Sequence, residues 1–443
     1  MKTFSLGGVH PNDCKISANV AIENFPIPEV AYISMSQHLG APAEPIVVVG
    51  DKVKVGQLIA KASGFISAPV HSSVSGTVKS IETIKDIAGN SCKAVVITVE
   101  GDEWVDTIDC SSDIVSDIKL DSKAIIAKIQ ECGVVGLGGA TFPTNVKLSP
   151  PPGKKAEFLI INAAECEPNL TSDYRVILEM PEQILIGASI MMKALGVTKG
   201  FVGIEENKPQ AIKILSELAS KYPQIKIVTL QKKYPQGGEK QLIDAVVGRK
   251  VPSMGLPIDA GAVVQNVGTS LAVYEAVQKN KPLFEGVLTV TGEISGAQKN
   301  YKHRVGTPIS AIVAAVGGVP QNAAKVISGG PMMGKAIANL DAPTLKGSSA
   351  ILFLAEEQTK RLQESNCIRC GKCVEACPMG LEPYLLNKLG RASRMDDLEA
   401  ARVYDCIECG CCSFTCPAYI PLLDTIRLAK GNVMKIMRSR PKK

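Results

Sequence analysis

Cys367-Ile368-Arg369-Cys370-Gly371-Lys372-Cys373-Val374-Glu375-Ala376-Cys377-Pro378 recurs further along the chain as Cys406-Ile407-Glu408-Cys409-Gly410-Cys411-Cys412-Ser413-Phe414-Thr415-Cys416-Pro417. Both copies have the spacing Cys-x-x-Cys-x-x-Cys-x-x-x-Cys-Pro. Three thiolates so close in sequence wrap three corners of a [4Fe–4S] cube, and the fourth cysteine of each run ligates the other cube. The spacing assigns Cys367, Cys370, Cys373 and Cys416 to one cluster, and Cys406, Cys409, Cys412 and Cys377 to a second. Gly371 and Gly410 let backbone N–H groups approach the sulfurs, and the prolines turn the chain away. Zinc also uses Cys-x-x-Cys pairs, but it takes four ligands and leaves the third cysteine of each run unexplained. Cys411 fits neither spacing and is expected to be a buried or sulfur-facing thiol.

Outside these runs the remaining cysteines, Cys14, Cys92, Cys110, Cys132 and Cys166, are scattered, as small core residues are. A chain of 443 residues predicts about three folding units. Hydrophobic residues make up 45% and charged residues 21%, a globular balance. The net charge of +6 is mild for this length, and aromatic residues are only 4%, which argues against nucleic-acid binding. The chain begins Met1-Lys2-Thr3-Phe4-Ser5-Leu6-Gly7-Gly8 with no apolar leader, so a reducing, cytoplasmic setting is expected. The richest apolar window, Ile184 to Leu195, is too short to span a bilayer and carries Lys193. Any membrane association is expected to be peripheral. The histidines, His10, His38, His71 and His303, show no metal spacing.

The fold class expected is multidomain α/β. Residues 1–120 form an N-terminal barrel-sandwich-like β domain, with β-branched residues alternating between glycine and proline breaks. Gly50-Asp51-x-Val53-x-x-Gly56-Gln57, Ala68-Pro69 and Gly76-Thr77-Val78 are similar to the scaffold of biotinyl and lipoyl carriers, without the lysine that is modified there. Residues 121–281 alternate strands (157–161, 200–204, 225–230) with helices (176–195, 209–221), which predicts a parallel sheet with right-handed crossovers. Residues 282–345 read as a small β-grasp module, with strands at 288–292, 303–305 and 325–328 around a helix at 309–316. Residues 346–443 read as a helical two-cluster domain ending in a basic tail; Arg427 to Lys443 holds seven basic residues and no acidic ones.

Four polar loops mark the middle domain. Val135-Gly136-Leu137-Gly138-Gly139-Ala140-Thr141-Phe142-Pro143 follows a helix rather than a strand, so it is not the usual dinucleotide fingerprint. Its bare backbone still lets a flat ring or a pyrophosphate lie against N–H donors, with Lys147 close behind. Asn162-Ala163-Ala164-Glu165-Cys166-Glu167-Pro168 ends the first strand, where ligands bind in parallel sheets. Tyr234-Pro235-Gln236-Gly237-Gly238-Glu239-Lys240 and Val264-Gln265-Asn266-Val267-Gly268-Thr269 each open a helix.

Together these loops resemble the FMN- and NADH-binding subunit of respiratory complex I. The order of parts, the opening Gly7-Gly8-Val9-His10-Pro11, Gln37-His38-Leu39-Gly40-Ala41-Pro42 and Ser67-Ala68-Pro69-Val70-His71 resemble more specifically the RnfC family of the Rnf ion-translocating ferredoxin:NAD oxidoreductases. That resemblance implies FMN, NAD(H), a soluble-ligand-binding β-grasp (SLBB-like) module and two [4Fe–4S] clusters of the two-cluster ferredoxin type. It places Gly136, Gly138, Gly139, Lys147, Asn162, Gly238, Glu239, Asn266 and Thr269 around FMN. Phe142, Glu165 and Glu167 would face the nicotinamide nucleotide. Ala164 and Lys240 depart from the complex I pattern, where both positions are acidic; Lys240 favours the nucleotide's phosphates or caps another partner.

The implied function is a peripheral electron-transfer subunit on the cytoplasmic face of the bacterial cell membrane. Electrons would pass between NAD(H), FMN and the two clusters, with other subunits of the complex as partners and ferredoxin engaged indirectly through one of them. A flavin is what the chemistry requires between a two-electron hydride donor and a one-electron cube. Two alternatives are a soluble NADH-dependent adaptor for a terminal reductase, and a cluster-only electron wire without flavin. The basic tail reads either as a solvated helix end or as a dock for anionic lipid or a membrane subunit.

Overall fold

The structure, a computed structural model, describes residues 1–293 and 296–440. The N-terminal unit pairs two antiparallel sheets. Val30–Ser34, Ser91–Val99, Gly76–Lys85 and Lys52–Val53 form one, and Glu44–Pro45, Leu58–Lys61 and Val70–His71 the other. Inward residues of the alternating strands, among them Ile33, Ile59, Val70, Val78, Val95 and Ile97, make its core.

Residues 1–13 leave that unit. Lys2 bridges to Leu230 at the edge of the middle sheet, Phe4 is buried beneath helix Glu239–Val247, and Val9 pairs with Tyr234. Ile22–Asn24 also leaves, adding a parallel edge strand to Lys299–Arg304. An edge strand has free N–H and C=O groups, and both departures supply partners for one.

The middle sheet is wholly parallel in the order Ile225–Leu230, Gly200–Glu205, Phe158–Ala163, Ala262–Asn266. Both faces are covered, which is why its strands read as continuous apolar runs. Leu159 and Ile161 face helices Pro181–Leu195 and Val267–Gln278, while Ile160 and Val264 face helix Glu239–Val247. The helix expected over 176–195 is two helices, Ser172–Glu179 and Pro181–Leu195. Pro181 lacks the N–H needed to continue the first and opens the second.

The third sheet runs Ile22–Asn24, Lys299–Arg304, Glu285–Gly292, Ala350–Ala355, Ala323–Ser328, Lys335–Ala336, with helix Ile309–Ala315 packed on it. Ala350–Ala355 pairs in parallel with Glu285–Gly292, so the chain of this sheet runs past the expected boundary at 345. Ala350 through Phe353 are buried, which is what anchors the strand there. Beyond it, helices Pro383–Arg391, Met395–Ala400 and Leu422–Ser439 close over Leu386, Leu398, Val403, Ile426 and Val433.

Candidate redox site

The first half of the site lies where the strand order of the middle sheet reverses. Phe158–Ala163 is its first strand; two further strands stack on one flank before Ala262–Asn266 takes the other. Loops leaving two such neighbours diverge and open a crevice at their carboxyl ends. Asn162 and Asn266 stand opposite each other at that edge. Asn162 Nδ2 donates to Gly237 O at 2.9 Å. Asn266 caps helix Val267–Gln278, its Oδ1 accepting from Gly268 N at 2.7 Å while its Nδ2 donates to Asp173 Oδ2 at 2.7 Å.

The glycine loop folds over this floor. Gly136 N donates to Phe142 O and Leu137 N donates to Thr269 Oγ1, both at 2.9 Å. A Cβ on Gly138 would stand 3.3 Å from Asn266 Cβ, so a side chain would crowd the floor. Gly139 has φ +117°, and a Cβ there would meet no heavy atom within 4 Å. Open space therefore lies against side-chain-free backbone, as a flat ring system needs. Lys147 pairs with Glu239 at 2.5 Å, at the N-terminus of helix Glu239–Val247 that Gly238 caps. Thr144 Oγ1, fully buried at the foot of the loop, has no hydrogen-bond partner. Two helix N-termini, bare loop amides and the Lys147 ammonium form a donor set that fits the phosphate and ring carbonyls of a flavin mononucleotide.

The acidic loop is held by cations from distant parts of the chain. Lys15 Nζ donates to the carbonyl oxygens of Glu165, Glu167 and Leu170 at 2.8, 2.9 and 2.6 Å, and lies 3.8 Å from Glu165 Oε2. Lys208 Nζ donates to Ala164 O at 2.6 Å and stands 3.7 Å from Glu205. Glu165 adopts φ +45°, and its Oε1 accepts from Asp173 N at 2.8 Å. Its Oε2 is buried without a hydrogen-bond partner. Burial pushes the Glu165 carboxyl up against the pull of Lys15 and Lys208. Asp173 is pushed up to about 7 by burial and by the charge of Glu165, and Glu205 to about 7 by burial. Lys15, Lys208 and Glu205 carry no motif in the sequence; Lys208 and Glu205 pair locally, three residues apart, whereas Lys15 reaches the loop from about 150 positions away.

Two expected nucleotide residues face elsewhere. Glu167 accepts from Met332 N at 3.0 Å and Met333 N at 2.8 Å, so its carboxylate fixes a loop of the third sheet's domain. A Cβ on Gly330 would lie 2.2 Å from Glu167 Oε2, which shows how closely that loop closes on it. Lys240 follows Glu239 by one helical step, about 100° around the axis, and lines a different cleft of about 190 Å³ with Asp244, Lys250, Arg402 and Asp405.

The second half of the site is the cysteine domain. Its two loops repeat in conformation as in sequence: Arg369 and Glu408 are left-handed at φ +57° and +59°, and Gly371 and Gly410 at +78° and +82°. Such alternation turns successive N–H groups toward one side, the nest that cradles an anionic cluster. Burial pushes Cys373 up, with Cys416 and Cys370 adding to the shift. Burial likewise raises Cys412 to about 12, with Cys406, Cys409 and Cys377 as its sulfur neighbours. These neighbours fall within the two ligand sets expected from spacing, with Cys367 not among them. Cys411 is fully buried, and its thiol donates toward Tyr234 O at 3.9 Å. Among the described residues no three His, Cys, Asp or Glu side chains converge as ligands of a single ion. A cube does not require that convergence, since each thiolate binds its own iron corner.

Comparison with known proteins matches four family models to these four parts. They are the RnfC barrel sandwich hybrid domain over residues 2–102, the Nuo51 FMN-binding domain over 129–275, the SLBB domain over 287–336 and a 4Fe-4S dicluster domain over 359–417. The C component of the proton-translocating ferredoxin:NAD(+) oxidoreductase complex of Clostridium ljungdahlii is 48% identical over 393 residues, covering 88% of this chain and 85% of that one. Its counterpart in the Na(+)-translocating complex of Acetobacterium woodii is 43% identical over 430 residues, covering 97% and 96%. The chain belongs to the RnfC family of Rnf-type ferredoxin:NAD oxidoreductase complexes. Among solved structures, an NAD+-reducing [NiFe]-hydrogenase aligns at TM-score 0.49 and 18% identity over 76% of this chain and 64% of that one.

Family membership gives each half of the site its cofactor. The FMN-binding match contains the glycine loop, both asparagines and both helix N-termini; the dicluster match contains all eight spaced cysteines. No helix among the described residues is long and apolar enough to cross a membrane.

Proposed function

We propose that this Rnf-family protein carries electrons between NAD(H) and the rest of a membrane ion-translocating complex by way of FMN and two [4Fe–4S] clusters. Bound FMN accepts a hydride's electron pair and yields electrons singly. Asn162 and Asn266 form the floor beneath the isoalloxazine, Gly136, Gly138 and Gly139 leave it room, and Thr269 braces the loop through Leu137 N. Lys147, with Gly238 and Glu239 at the helix start, receives the phosphate. Phe142 and Glu165, whose buried carboxylate lies against Lys15, would meet the incoming nicotinamide nucleotide. Glu167 has no part in that contact, and Lys240 acts from its own cleft. The observation that carries this reading is a switch-point crevice with open glycine backbone in the same chain as two conformationally repeated cysteine loops.

The partners are the other subunits, with ferredoxin reached through one of them, on the cytoplasmic face of the cell membrane. The basic tail from Arg427 supports peripheral docking at an anionic surface. The test is anaerobic purification followed by iron, sulfide and flavin analysis and a titration with NADH. Two cubes give about eight iron per chain, a yellow chromophore is released on denaturation, and NADH bleaches it while bound. Protein with full clusters whose flavin NADH cannot bleach would overturn the proposal; protein with clusters and no flavin would establish the electron-wire alternative.

A further inference from the structure

We infer that the two cubes are used in a fixed order: the one held by Cys377, Cys406, Cys409 and Cys412 exchanges electrons with the flavin, and the one held by Cys367, Cys370, Cys373 and Cys416 is the terminal, solvent-facing one. This order rests on the function proposed above and adds to it which ligand set is near.

Tyr234 decides the near side. Its ring is 1% exposed, its Oη donates to Cys409 O at 2.9 Å, and its carbonyl oxygen accepts from Val9 N at 2.8 Å and from the Cys411 thiol. Tyr234 also begins the loop that floors the flavin crevice. Three residues on, Gly237 O accepts from Asn162 Nδ2 and Gly237 N donates to Cys166 Sγ at 3.2 Å. One residue thus bonds the backbone of a second-cube ligand and leads directly into the flavin loop. The space around it is dry: Val9, Tyr234, Ala376, Cys409 and Cys411 form one buried cluster, against which Cys166 and Ile407 pack. Tunnelling falls steeply with separation and is helped by a packed, bonded medium, so this joint favours the second cube.

The first set of cysteines stands on the opposite footing. Cys367 and Cys370 are exposed, whereas Cys377, Cys409 and Cys412 are buried. Ile368, between the two exposed ligands, is 68% exposed. Gly7 and Gly8 seal the second set further: a Cβ on Gly7 would lie 2.5 Å from the Cys377 carbonyl, and Gly8 N donates to Ala376 O. Electrons balance along this line. NADH would lose one hydride, a proton with two electrons, to the flavin; each electron passed on would oxidise the flavin by one and reduce the near cube by one. The near cube is reoxidised as the far cube is reduced, and a one-electron acceptor of a partner subunit reoxidises the far cube.

Two variants and one measurement on the unaltered protein test the order. In Cys367→Ala/Cys370→Ala protein, freeze-quench electron paramagnetic resonance after mixing with NADH is expected to show its remaining cube reduced as fast as in the wild type. In Cys406→Ala protein, NADH is expected to bleach the flavin while the remaining cube stays oxidised, although dithionite reduces it. In wild-type protein, an iron chelator is expected to remove about four iron in a fast phase and the rest slowly, with the fast phase missing from the Cys367→Ala/Cys370→Ala variant. The order is overturned if NADH reduces the cube of the Cys406→Ala protein at the wild-type rate, or if the fast phase is missing from that protein instead. Wild-type flavin that NADH leaves unbleached is a different result, and it sinks the underlying function rather than the order.

Discussion

Asp173 sits where the acidic loop meets the flavin crevice, and its ionisation should make this domain pH-sensitive in a way that one isosteric change removes. Its carboxyl is pushed up to about 7, by burial first and by Glu165 second, from an ordinary 3.8. A group whose folded value is raised stabilises the fold fully below its unfolded value, and that stability is lost as pH climbs to the folded value. Between pH 5.5 and 7 the loss is about 2 kcal/mol at 1.36 kcal/mol per unit, and it levels off above 7. Asp173→Asn keeps an acceptor for Asn266 Nδ2 and abolishes the titration. For a domain of this size 2 kcal/mol corresponds to about 4–8 °C in melting temperature. Melting of the anaerobic, flavin-loaded protein, followed by release of flavin fluorescence, should therefore fall by that amount from pH 5.5 to 7 in the wild type relative to the variant. Parallel profiles for the two proteins over pH 5.5 to 8 would refute the assignment of a raised, buried carboxyl at Asp173.

Three further substitutions probe the same architecture. Lys147→Met should leave the fold intact and weaken flavin retention about tenfold or more, as loss of a charge-assisted contact does; unchanged flavin content after ultrafiltration would exclude Lys147 from the phosphate site. Gly187→Ala would place a Cβ 1.9 Å from Ser270 O where helices Pro181–Leu195 and Val267–Gln278 cross. It should cost about 3 kcal/mol or more, read as a lowered melting temperature, and a neutral result would mean the helices separate freely. Asp121→Ala removes the cap whose Oδ1 accepts from Ala124 N at 2.8 Å, on the helix that leads into the glycine loop. A loss of about 1 kcal/mol is expected, with cluster content unchanged; a loss of clusters would show that the two halves of the site do not fold separately.

The parts of the site legible in the sequence are those whose chemistry is short-range. Three cysteines of each run wrap a cube with only local chain, the fourth reaching the other cube, and the left-handed turns at Arg369, Gly371, Glu408 and Gly410 follow that spacing residue for residue. The glycine loop and the two asparagines that end strands are legible for the same reason: bare backbone and strand ends have one geometry whatever surrounds them. The break at Pro181 is written in the sequence as a missing N–H, though apolar periodicity runs through it and favours a single helix.

What only packing decided are contacts between residues far apart in the chain. Glu167 and Glu165 are near neighbours of one residue type, yet one is spent on Met332 and Met333 and the other is buried against Asp173 N and Lys15. Ile22–Asn24 and Ala350–Ala355 join a sheet whose other strands lie elsewhere in the sequence. Tyr234 touches Cys409 across 175 positions. Spacing along the chain determines which groups can bind a cofactor, because the ligand supplies the missing geometry. Which of those groups are buried, paired or set beside each other depends on how whole surfaces fit, and no local stretch of residues encodes that.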